Sequence, residues 1–381
     1  MHLEFDESKF IVSAGEMTIQ LLPKEFALLE FMYRNKGLTF SREQLLDKVW
    51  PLEYPVERTV DDHIYRLRKK LHKLSGVELK TVRGFGYSLT LPFAAAAYPT
   101  LYDPELRDTM RDVFNKFHVY GQGKSILTLA AQRDTLGFEL DPHYRMVIHF
   151  MQGDLEWLLD TEEVPLQDRL FSLVLFYLFS GDPKAKLVTC ERMIEKKLLH
   201  PADQLELEIL TILDLFILAG EPERALSQLT KSYEVIAELG YENFVPVTMI
   251  TELFAHLAAG AGDEELNRLD EAIGQVLLDK PFLRETGSYK VVKGLWLMRS
   301  KQWREAEQLM DEGLQVLEMS GFVPLRLGSF YRIYHFCRLY LPYNVLQRKY
   351  ESRFTAALED CGLKRLERPL EEMLQQVLNP L

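Results

Sequence analysis

The sequence predicts two regions of different fold class, an α+β domain over residues 1–91 and an all-α solenoid of helical hairpins over residues 103–381. Short stretches of alternating apolar and polar residues occur in the first region, whereas from Asp103 onward leucine is dense and apolar residues recur at helical spacing. A turn-like sequence also returns about every 40 residues in the second region, as in stacked helical repeats. Residues 92–102, with alanines at 94–97, are the expected linker.

The first strands are expected within residues 2–21. Apolar residues alternate with polar ones there, and turn-forming residues interrupt the pattern at Asp6–Ser8 and Ala14–Gly15, which predicts three short antiparallel strands. Pro23 favours the first turn of a helix because that position needs no backbone N–H. The apolar face of this first helix continues to Asn35–Gly37, where the helix is predicted to end.

Two further helices and a hairpin complete the predicted α+β domain. Ser41 and Gln44 have the spacing of a capping box at the start of the second helix. The third helix is predicted over residues 59–74, and residues 77–82 and 87–91 are predicted to form a hairpin around a glycine-rich tip. Apolar residues at helical spacing define the inward face of the third helix: Val60, Ile64, Leu67 and Leu71.

Charge is distributed unevenly along the chain, whose formal net charge is −12. Residues 1–92 contain 14 basic and 13 acidic side chains, and the remaining residues contain 31 basic and 44 acidic ones. Residues 58–83, which cover the third helix and the first strand of the hairpin, contain 8 basic and 3 acidic side chains. A basic segment on an acidic protein indicates a local nucleic-acid contact rather than a general affinity for polyanions.

Four ordered sequence blocks carry a resemblance to a known family: Leu22–Glu30, Ser41–Trp50, Arg58–Leu71 and Thr81–Tyr87. Their order and spacing resemble the winged helix-turn-helix domains of OmpR/PhoB-type regulators, and the resemblance covers residues 1–91. It implies a domain that binds double-stranded DNA with its third helix in the major groove. The loop that corresponds to residues 51–57 contacts RNA polymerase in some relatives, which implies the same partner here.

The resemblance also implies roles for individual side chains. Asp62 and Arg66 correspond to base-facing positions, although the family usually has a small apolar residue where this chain has Asp62. Asp62 is expected either to accept a hydrogen bond from a cytosine amino group or to lie off the base edges. Arg83, at the hairpin tip, is expected to reach a minor groove. The remaining expected contacts lie on the exposed face of the helix or in the hairpin, and most of them face the DNA backbone: Thr59, His63, Tyr65, Arg68, Lys69 and Thr81.

The second region contains an internal repeat. Similar turn sequences are separated by 39, 42 and 39 residues, at Gly181, Gly220, Gly262 and Lys301. Each turn is predicted to join two amphipathic helices, and the helix before the second turn is predicted over residues 205–219.

A winged helix followed by helical repeats resembles the Streptomyces antibiotic regulatory proteins, whose bacterial transcriptional activator domain is tetratricopeptide-like. The period exceeds the 34 residues of that repeat. Stacked repeats offer a self-association face and a concave groove, so we expect a homodimer and a site for a peptide, protein or small ligand in the solenoid.

Neither a catalytic nor a metal-binding arrangement is predicted. Cys190, Cys337 and Cys361 have no paired or metal-like spacing, and His143 and His149 do not lie on one helix face. We therefore expect a non-enzymatic protein without a metal or cofactor. Without a signal peptide or an apolar run of about 18 residues, a cytoplasmic location without membrane contact is expected. No receiver-like α/β pattern is found either, so control by aspartyl phosphorylation is not expected.

Two functions remain open at this point. In the first, the chain is a sequence-specific DNA-binding transcription regulator that is controlled through its solenoid, by dimerisation or by a bound partner or ligand. In the second, it is a non-enzymatic adaptor in which the solenoid binds a protein or peptide and the winged helix has become a protein-interaction module. The basic set of Arg66, Arg68, Lys69 and Arg83 favours the first function, because a protein-binding module does not need this arrangement.

Overall fold

A computed structural model describes residues 3–14, 17–51, 55–72, 74, 77–90, 100, 103–140, 142–280, 282–342 and 344–379. The chain forms two compact units, residues 1–114 with 125–141 and residues 115–124 with 142–381. The predicted linker, residues 92–102, lies almost wholly outside the described residues. The predicted domain boundary at residue 91 therefore stays a prediction.

Two small antiparallel sheets belong to the first unit. The first has the order β1 (Glu4–Asp6), β2 (Ile11–Ala14) and β3 (Met17–Gln20), which confirms the three predicted strands. In the second, β6 (Gly86–Thr90) lies between β4 (Thr39–Ser41) and β5 (Glu78–Val82). The sequence predicted the β5–β6 hairpin but missed β4, because three residues are too few to show an alternating pattern.

Three helices pack beside these sheets, α1 (Pro23–Arg34), α2 (Arg42–Val49) and α3 (Arg58–Leu71). The predicted capping box opens α2: the backbone N–H of Ser41 donates to Gln44 Oε1 at 2.8 Å, and the backbone N–H of Gln44 donates to Ser41 Oγ at 3.1 Å. The third helix ends at Leu71, three residues before the predicted end at residue 74. Its predicted inward face is confirmed, because each of the four apolar residues is at most 2% exposed: Val60, Ile64, Leu67 and Leu71.

The first unit extends beyond the predicted α+β domain. It includes most of α4 (Pro104–Val119), most of α5 (Gly123–Ala131) and α6 (Arg133–Leu136). The buried Thr39 of β4 donates from Oγ1 to the Ala131 carbonyl at 3.2 Å, and Gln132 Nε2 donates to the Thr39 carbonyl at 3.2 Å. Residues 125–141 therefore help to hold one edge of the second sheet.

The described part of the second unit is helical apart from turns and loops, as predicted. Its elements are α7 (Pro142–Met151), α8 (Leu155–Asp160), α9 (Leu166–Leu178), α10 (Pro183–Lys196), α11 (Pro201–Glu206), a π-helical segment (Leu207–Thr211), α12 (Ile212–Leu218), α13 (Pro222–Leu239), a 3₁₀ turn (Glu242–Phe244), α14 (Val245–Ala258), α15 (Asp263–Asp279), α16 (Leu283–Arg299), α17 (Trp303–Ser320), α18 (Val323–Tyr340), α19 (Gln347–Asp360) and α20 (Leu363–Leu378). The helix predicted over residues 205–219 lies within a continuous helical stretch from Pro201 to Leu218, which contains the π-helical turn at Leu207–Thr211. Among the described helices, none combines the length and the apolarity needed to cross a membrane.

The repeat is visible in the backbone conformation of the turns that join the two helices of each pair. Gly181, Gly220, Gly260 and Lys301 have φ values of 67°, 83°, 82° and 61°, so the same left-handed turn recurs at intervals of 39, 40 and 41 residues. The sequence placed the third turn at Gly262, which is wrong: Gly262 has φ −73° and caps α15. This turn contains two glycines, Gly260 and Gly262, and the sequence match selected the second one, which directly precedes α15.

Small residues let the paired helices approach. Ala225 and Ala306 are 0% exposed, each near the start of the second helix of its pair. A side chain at Gly313 of α17 would place its Cβ 2.7 Å from the carbonyl oxygen of Gly287 on α16. The α16–α17 pair therefore depends on backbones that lie in direct contact.

Candidate nucleic-acid interface

The outer face of α3 carries the polar residues that the sequence singled out. Asp62, Tyr65, Arg66 and Lys69 are all exposed, and Tyr65 is 59% exposed. The Lys69 ammonium lies 4.4 Å from the centroid of the Tyr65 ring, which places a cation on an aromatic face one turn along the helix. These four side chains thus lie on the exposed side of α3.

Arg66 and Asp62 lie one turn apart on this face. Neither side chain forms a hydrogen bond or an ion pair with any residue that the structure describes. A guanidinium without an internal partner keeps its fork of donors for a ligand, and a carboxylate keeps its acceptors. Both side chains therefore present polar groups that are uncommitted within the described chain.

Arg68 has a different arrangement, although the sequence grouped it with the DNA contacts. Its Nε donates to the Leu79 carbonyl at 2.8 Å and its Nη2 donates to Thr81 Oγ1 at 2.6 Å. Its guanidinium also lies 5.7 Å from the centroid of the Tyr87 ring. Arg68 thereby joins α3 to both strands of the hairpin. A phosphate contact by Arg68 or Thr81 stays a prediction.

His63 and Thr59 lie at the side of α3 that faces α2. His63 Nδ1 is 2.7 Å from the Thr59 carbonyl, so Nδ1 carries the proton and Nε2 is left as the acceptor of the neutral ring. The half-buried His63 ring also packs edge-on against Trp50, with ring centroids 5.0 Å apart. These contacts fix the ring orientation, and the predicted backbone contacts of both residues stay predictions.

Arg83 lies in the tight turn between β5 and β6, where it is exposed. Gly84 has φ 72°, a left-handed conformation that favours glycine, and the Phe85 N–H donates to the Val82 carbonyl at 3.0 Å. A side chain at Gly86 would collide with the Phe40 carbonyl, so this glycine lets β4 and β6 pair. The sequence pattern of the hairpin tip thus positions Arg83 at its outer end.

A polar cluster that the sequence did not indicate holds these elements together. Asp61 accepts from Arg42 Nε at 2.7 Å and from the Tyr87 hydroxyl at 2.6 Å, and Arg42 Nη2 lies 3.2 Å from the Tyr87 oxygen. Burial, together with the bond to Asp61, raises the pKa of Tyr87. The cluster ties α2, α3 and β6 to one another. Its members are far apart in the chain, so local spacing carried no signal of it.

A second ion pair joins α1 to α3. Glu25 is 1% exposed, and its Oε2 accepts from the Leu22 N–H at 2.9 Å and from Lys70 Nζ at 2.6 Å. Burial alone would raise the pKa of Glu25, but the hydrogen bonds from Leu22 and Lys70 outweigh it, and the pKa is lowered. The ionised carboxylate therefore holds the orientation of α3.

No group of three or more histidine, cysteine or acidic side chains that could hold a metal ion occurs in the described part of the chain. The three cysteines are buried, and none of them forms a disulfide bond.

Comparison with known proteins bears on the first unit. Residues 15–89 match the family described as transcriptional regulatory protein, C terminal. The sensory transduction protein RegX3 of Mycobacterium leprae is 42% identical over 90 residues, 23% of this chain and 46% of that protein. The phosphate regulon transcriptional regulatory protein PhoB of Rhizobium meliloti is 46% identical over 89 residues, 23% of this chain and 39% of that protein.

The transcriptional regulatory protein SrrA of Staphylococcus aureus is 41% identical over 90 residues, 23% of this chain and 37% of that protein. The chain thus covers less than half the length of each of these relatives. The agreement in sequence and in the order of strands and helices leads to one conclusion: residues 15–89 form a winged helix of the OmpR/PhoB type, which this chain joins to an all-helical region.

Proposed function

We propose that this protein is a sequence-specific DNA-binding transcription regulator in which α3 enters the major groove. The observation that carries the proposal is the pair Arg66 and Asp62, which is exposed and has no hydrogen bond or ion pair within the described chain. A helix fits the major groove of B-DNA, and a guanidinium there can donate two hydrogen bonds to guanine O6 and N7. Arg66 is the residue that would read sequence.

The hairpin supplies the second contact in this proposal. Arg83 at its tip inserts into the adjacent minor groove, where a narrow groove concentrates negative potential. Lys69 and Tyr65 lie beside Arg66 on α3 and contact phosphates. Arg68 sets the hairpin against α3 through Leu79 and Thr81, so its main contribution is to position Arg83.

The helical unit controls the regulator in this proposal, through a partner, a ligand or a second copy of the chain. Residues after 92 carry 31 basic and 44 acidic side chains, which keeps this region away from DNA and leaves contact to the winged helix. A dimer would hold two winged helices on paired half-sites and raise the effective concentration of the second contact. The polymerase contact proposed for residues 51–57 falls on a loop in which residues 52–54 lie outside the described residues.

The proposal is tested with the full-length protein and a pool of genomic DNA fragments in a gel-shift series at increasing salt. We expect binding at low salt that weakens steeply as salt rises, because Lys and Arg contacts release counterions. Arg66→Ala should lose discrimination between selected and unselected fragments. Arg34→Ala is the matched control, since Arg34 is exposed on α1 and pairs with Glu30 away from α3. No binding at low salt, or equal losses for Arg66→Ala and Arg34→Ala, would overturn the proposal.

A further inference from the structure

The helical unit contains a partly open cavity of about 330 Å³. Its wall is formed by the π-helical segment with its flanking helices, by parts of α14, α16 and α18, and by residues of α4, α7, α9 and the 3₁₀ turn. Apolar side chains such as Phe150, Phe179 and Phe244 cover much of this wall. The volume falls at the lower end of the range of about 300–1,000 Å³ that is usual for small-molecule sites.

Two carboxyl groups in the wall have oxygens without a hydrogen-bond donor among the described residues. Glu285 is 8% exposed, its Oε2 is buried without a hydrogen-bond partner among the described residues, and its Oε1 is 3.8 Å from Arg284 Nη2. Glu206 lines the same cavity and forms no hydrogen bond or ion pair with any described residue. A carboxyl oxygen removed from water without a hydrogen-bond donor is costly, so the buried Glu285 Oε2 is maintained at a cost in folding stability.

The basic groups in the wall are outnumbered by its carboxyl groups, and only Arg284 forms an ion pair with one of these two carboxylates, Glu285. Arg332 is paired with Asp214. The Arg284 guanidinium lies over the Phe322 ring at 5.2 Å, and its Nη2 donates to the Val119 carbonyl at 3.3 Å. The wall therefore holds three carboxyl groups against two guanidinium groups: Glu206, Asp214 and Glu285 against Arg284 and Arg332.

The backbone of the wall is irregular where Glu206 enters it. The π-helical segment Leu207–Thr211 begins directly after Glu206, and both Leu210 and Thr211 line the cavity. Gln228 Nε2 donates to the Glu208 carbonyl at 2.6 Å, which satisfies a backbone acceptor of this irregular turn. Such π-helical turns occur frequently at functional sites, because the extra residue redirects the side chains around it.

We propose that this cavity binds a small organic cation, an ammonium or guanidinium group on an apolar body, with the charge held by Glu285 and Glu206. The cation would supply a donor to Glu285 Oε2 and to Glu206, and the apolar body would lie against the phenylalanine and leucine side chains of the wall. The inference deepens the proposed function, on which it rests for its regulatory consequence, because it names the class of ligand that the helical unit takes.

Protonation of the site is coupled to this binding. Burial, with Asp203 nearby, raises the pKa of Glu206 to about 7, and burial also raises the pKa of Glu285. Burial, with Arg284 and His143 nearby, lowers the pKa of His118 to about 4, so His118 is neutral at pH 7. The other charged groups facing the site are Asp214, paired with Arg332, and Arg284. A cation binds the ionised carboxylates, so its affinity should rise as the pH increases through about 7.

The test uses the full-length protein without DNA and a panel of primary amines with bodies of increasing size, from butylamine to 2-phenylethylamine and tryptamine. Each amine is matched by the alcohol and the carboxylate of the same body, and binding is measured by titration calorimetry at pH 6 and pH 8. We expect at least one amine to bind, more tightly at pH 8, with its alcohol weaker and its carboxylate not bound. Glu285→Gln and Glu206→Gln should each weaken that amine at least tenfold.

Glu238→Gln is the matched control, because Glu238 is exposed on α13 outside the cavity, and it should bind as the parent does. Thermal melts of the two cavity variants verify that they are folded. The proposal is overturned if no amine binds, if the carboxylates bind as well as the amines, or if neither cavity variant alters binding. These outcomes do not depend on DNA, so they are distinct from a failure of the gel-shift experiment. The bound amine is then added to that gel shift to measure its effect on DNA binding.

Discussion

The two units differ in where they place their charged side chains. On α3 the polar groups face solvent, and Arg66 and Asp62 are exposed. In the cavity of the helical unit the carboxyl groups face inward, and Glu285 is 8% exposed. A charge kept in water costs little, whereas a buried charge is kept against a desolvation cost and accepts only a partner that fits. This difference agrees with the two proposals, a large polyanion for the first surface and a small cation for the second.

The two units also treat their buried carboxyl groups in opposite ways. Glu25 in the winged helix has donors from Leu22 and Lys70, and its pKa is lowered. Glu206 in the helical unit accepts a hydrogen bond from neither a backbone N–H nor a basic side chain among the described residues, and burial raises its pKa. Ionisation therefore stabilises the first site, and protonation stabilises the second.

The largest expected effects come from glycines in close backbone contact, one in each unit. Gly86→Ala would drive a methyl group into the Phe40 carbonyl and should cost about 3 kcal/mol or more of unfolding free energy. Gly313→Ala, with its Cβ 2.7 Å from the Gly287 carbonyl, should cost about 1–3 kcal/mol. Denaturant unfolding measures the loss, and hydrogen exchange should rise locally around β4–β6 and around α16–α17.

Gly274→Ala is the control for both substitutions, because a Cβ at this position of α15 meets nothing within 4 Å. It should stabilise the protein slightly, by about 0.5–1 kcal/mol. A Gly86→Ala protein as stable as Gly274→Ala would show that the β4–β6 pairing does not exist in solution.

The next effect separates two arginines of α3. Arg66→Ala should cost on the order of 1–3 kcal/mol in discrimination between DNA sites while leaving unfolding free energy within about 0.5 kcal/mol. Arg68→Ala should lower stability by about 0.5–1.5 kcal/mol, since it removes hydrogen bonds to Leu79 and Thr81, and should weaken binding to all sequences. Competition gel shifts measure the discrimination between DNA sites for both variants, and thermal melts measure their stability. If the two variants lose the same discrimination between DNA sites and the same stability, Arg66 does not read sequence separately from the positioning role of Arg68.

A smaller effect concerns pH. The folded protein holds a proton on Glu206 up to about pH 7, and the unfolded chain loses it near pH 4.5, so stability from this group falls as pH rises between these values. Glu206→Gln should flatten that fall by about 1–2 kcal/mol, an amount reduced from the full shift because Glu206 is half-buried. Glu25→Gln should have the opposite pH dependence. It should remove a contribution to the free energy of unfolding that is present above pH 4.5 and lost in acid. Unfolding curves at pH 4, 5.5 and 7.5 test both signs, and a steeper fall in Glu206→Gln would contradict them.

The smallest effect tests the repeat. Lys301 is the non-glycine member of the left-handed turns, with φ 61°. Lys301→Gly should stabilise the protein by about 0.5–1 kcal/mol, because glycine adopts this conformation without strain. Gly260→Ala should have the opposite sign, whereas Gly262→Ala should be near neutral, since Gly262 has φ −73°. Equal effects at Gly260 and Gly262 would argue against the corrected position of the third turn.

Much of the winged helix could be predicted from sequence, because its determinants are local. Pro23, the Ser41 capping box and the spacing of Val60, Ile64 and Leu67 each act within one or two helical turns. The exposed face of α3 followed from the same spacing. The role of Arg68 did not, because its acceptors on β5 come from a strand whose position against α3 is decided by packing.

The helical unit was predictable only in outline. The period of about 40 residues was visible in its turns, but a second glycine before α15 displaced the predicted third turn, and the π-helical segment left no local signal. The cavity could not be anticipated, because its carboxyl groups lie on separate elements that only the stacking of helices brings to one wall. Glu206 and Glu285 look like ordinary solvated helix residues in the sequence.

The contacts of Arg68 with Leu79 and Thr81 have a consequence for the entropy of docking. A long side chain immobilised at the moment of binding costs about 0.5–1.5 kcal/mol, and a hairpin that had to be ordered at that moment would cost more. Here the guanidinium fixes the hairpin to α3 before any ligand arrives. Helix α3 and the hairpin are therefore preorganised relative to each other before a ligand binds. The conformational entropy of their connection is lost during folding rather than during recognition.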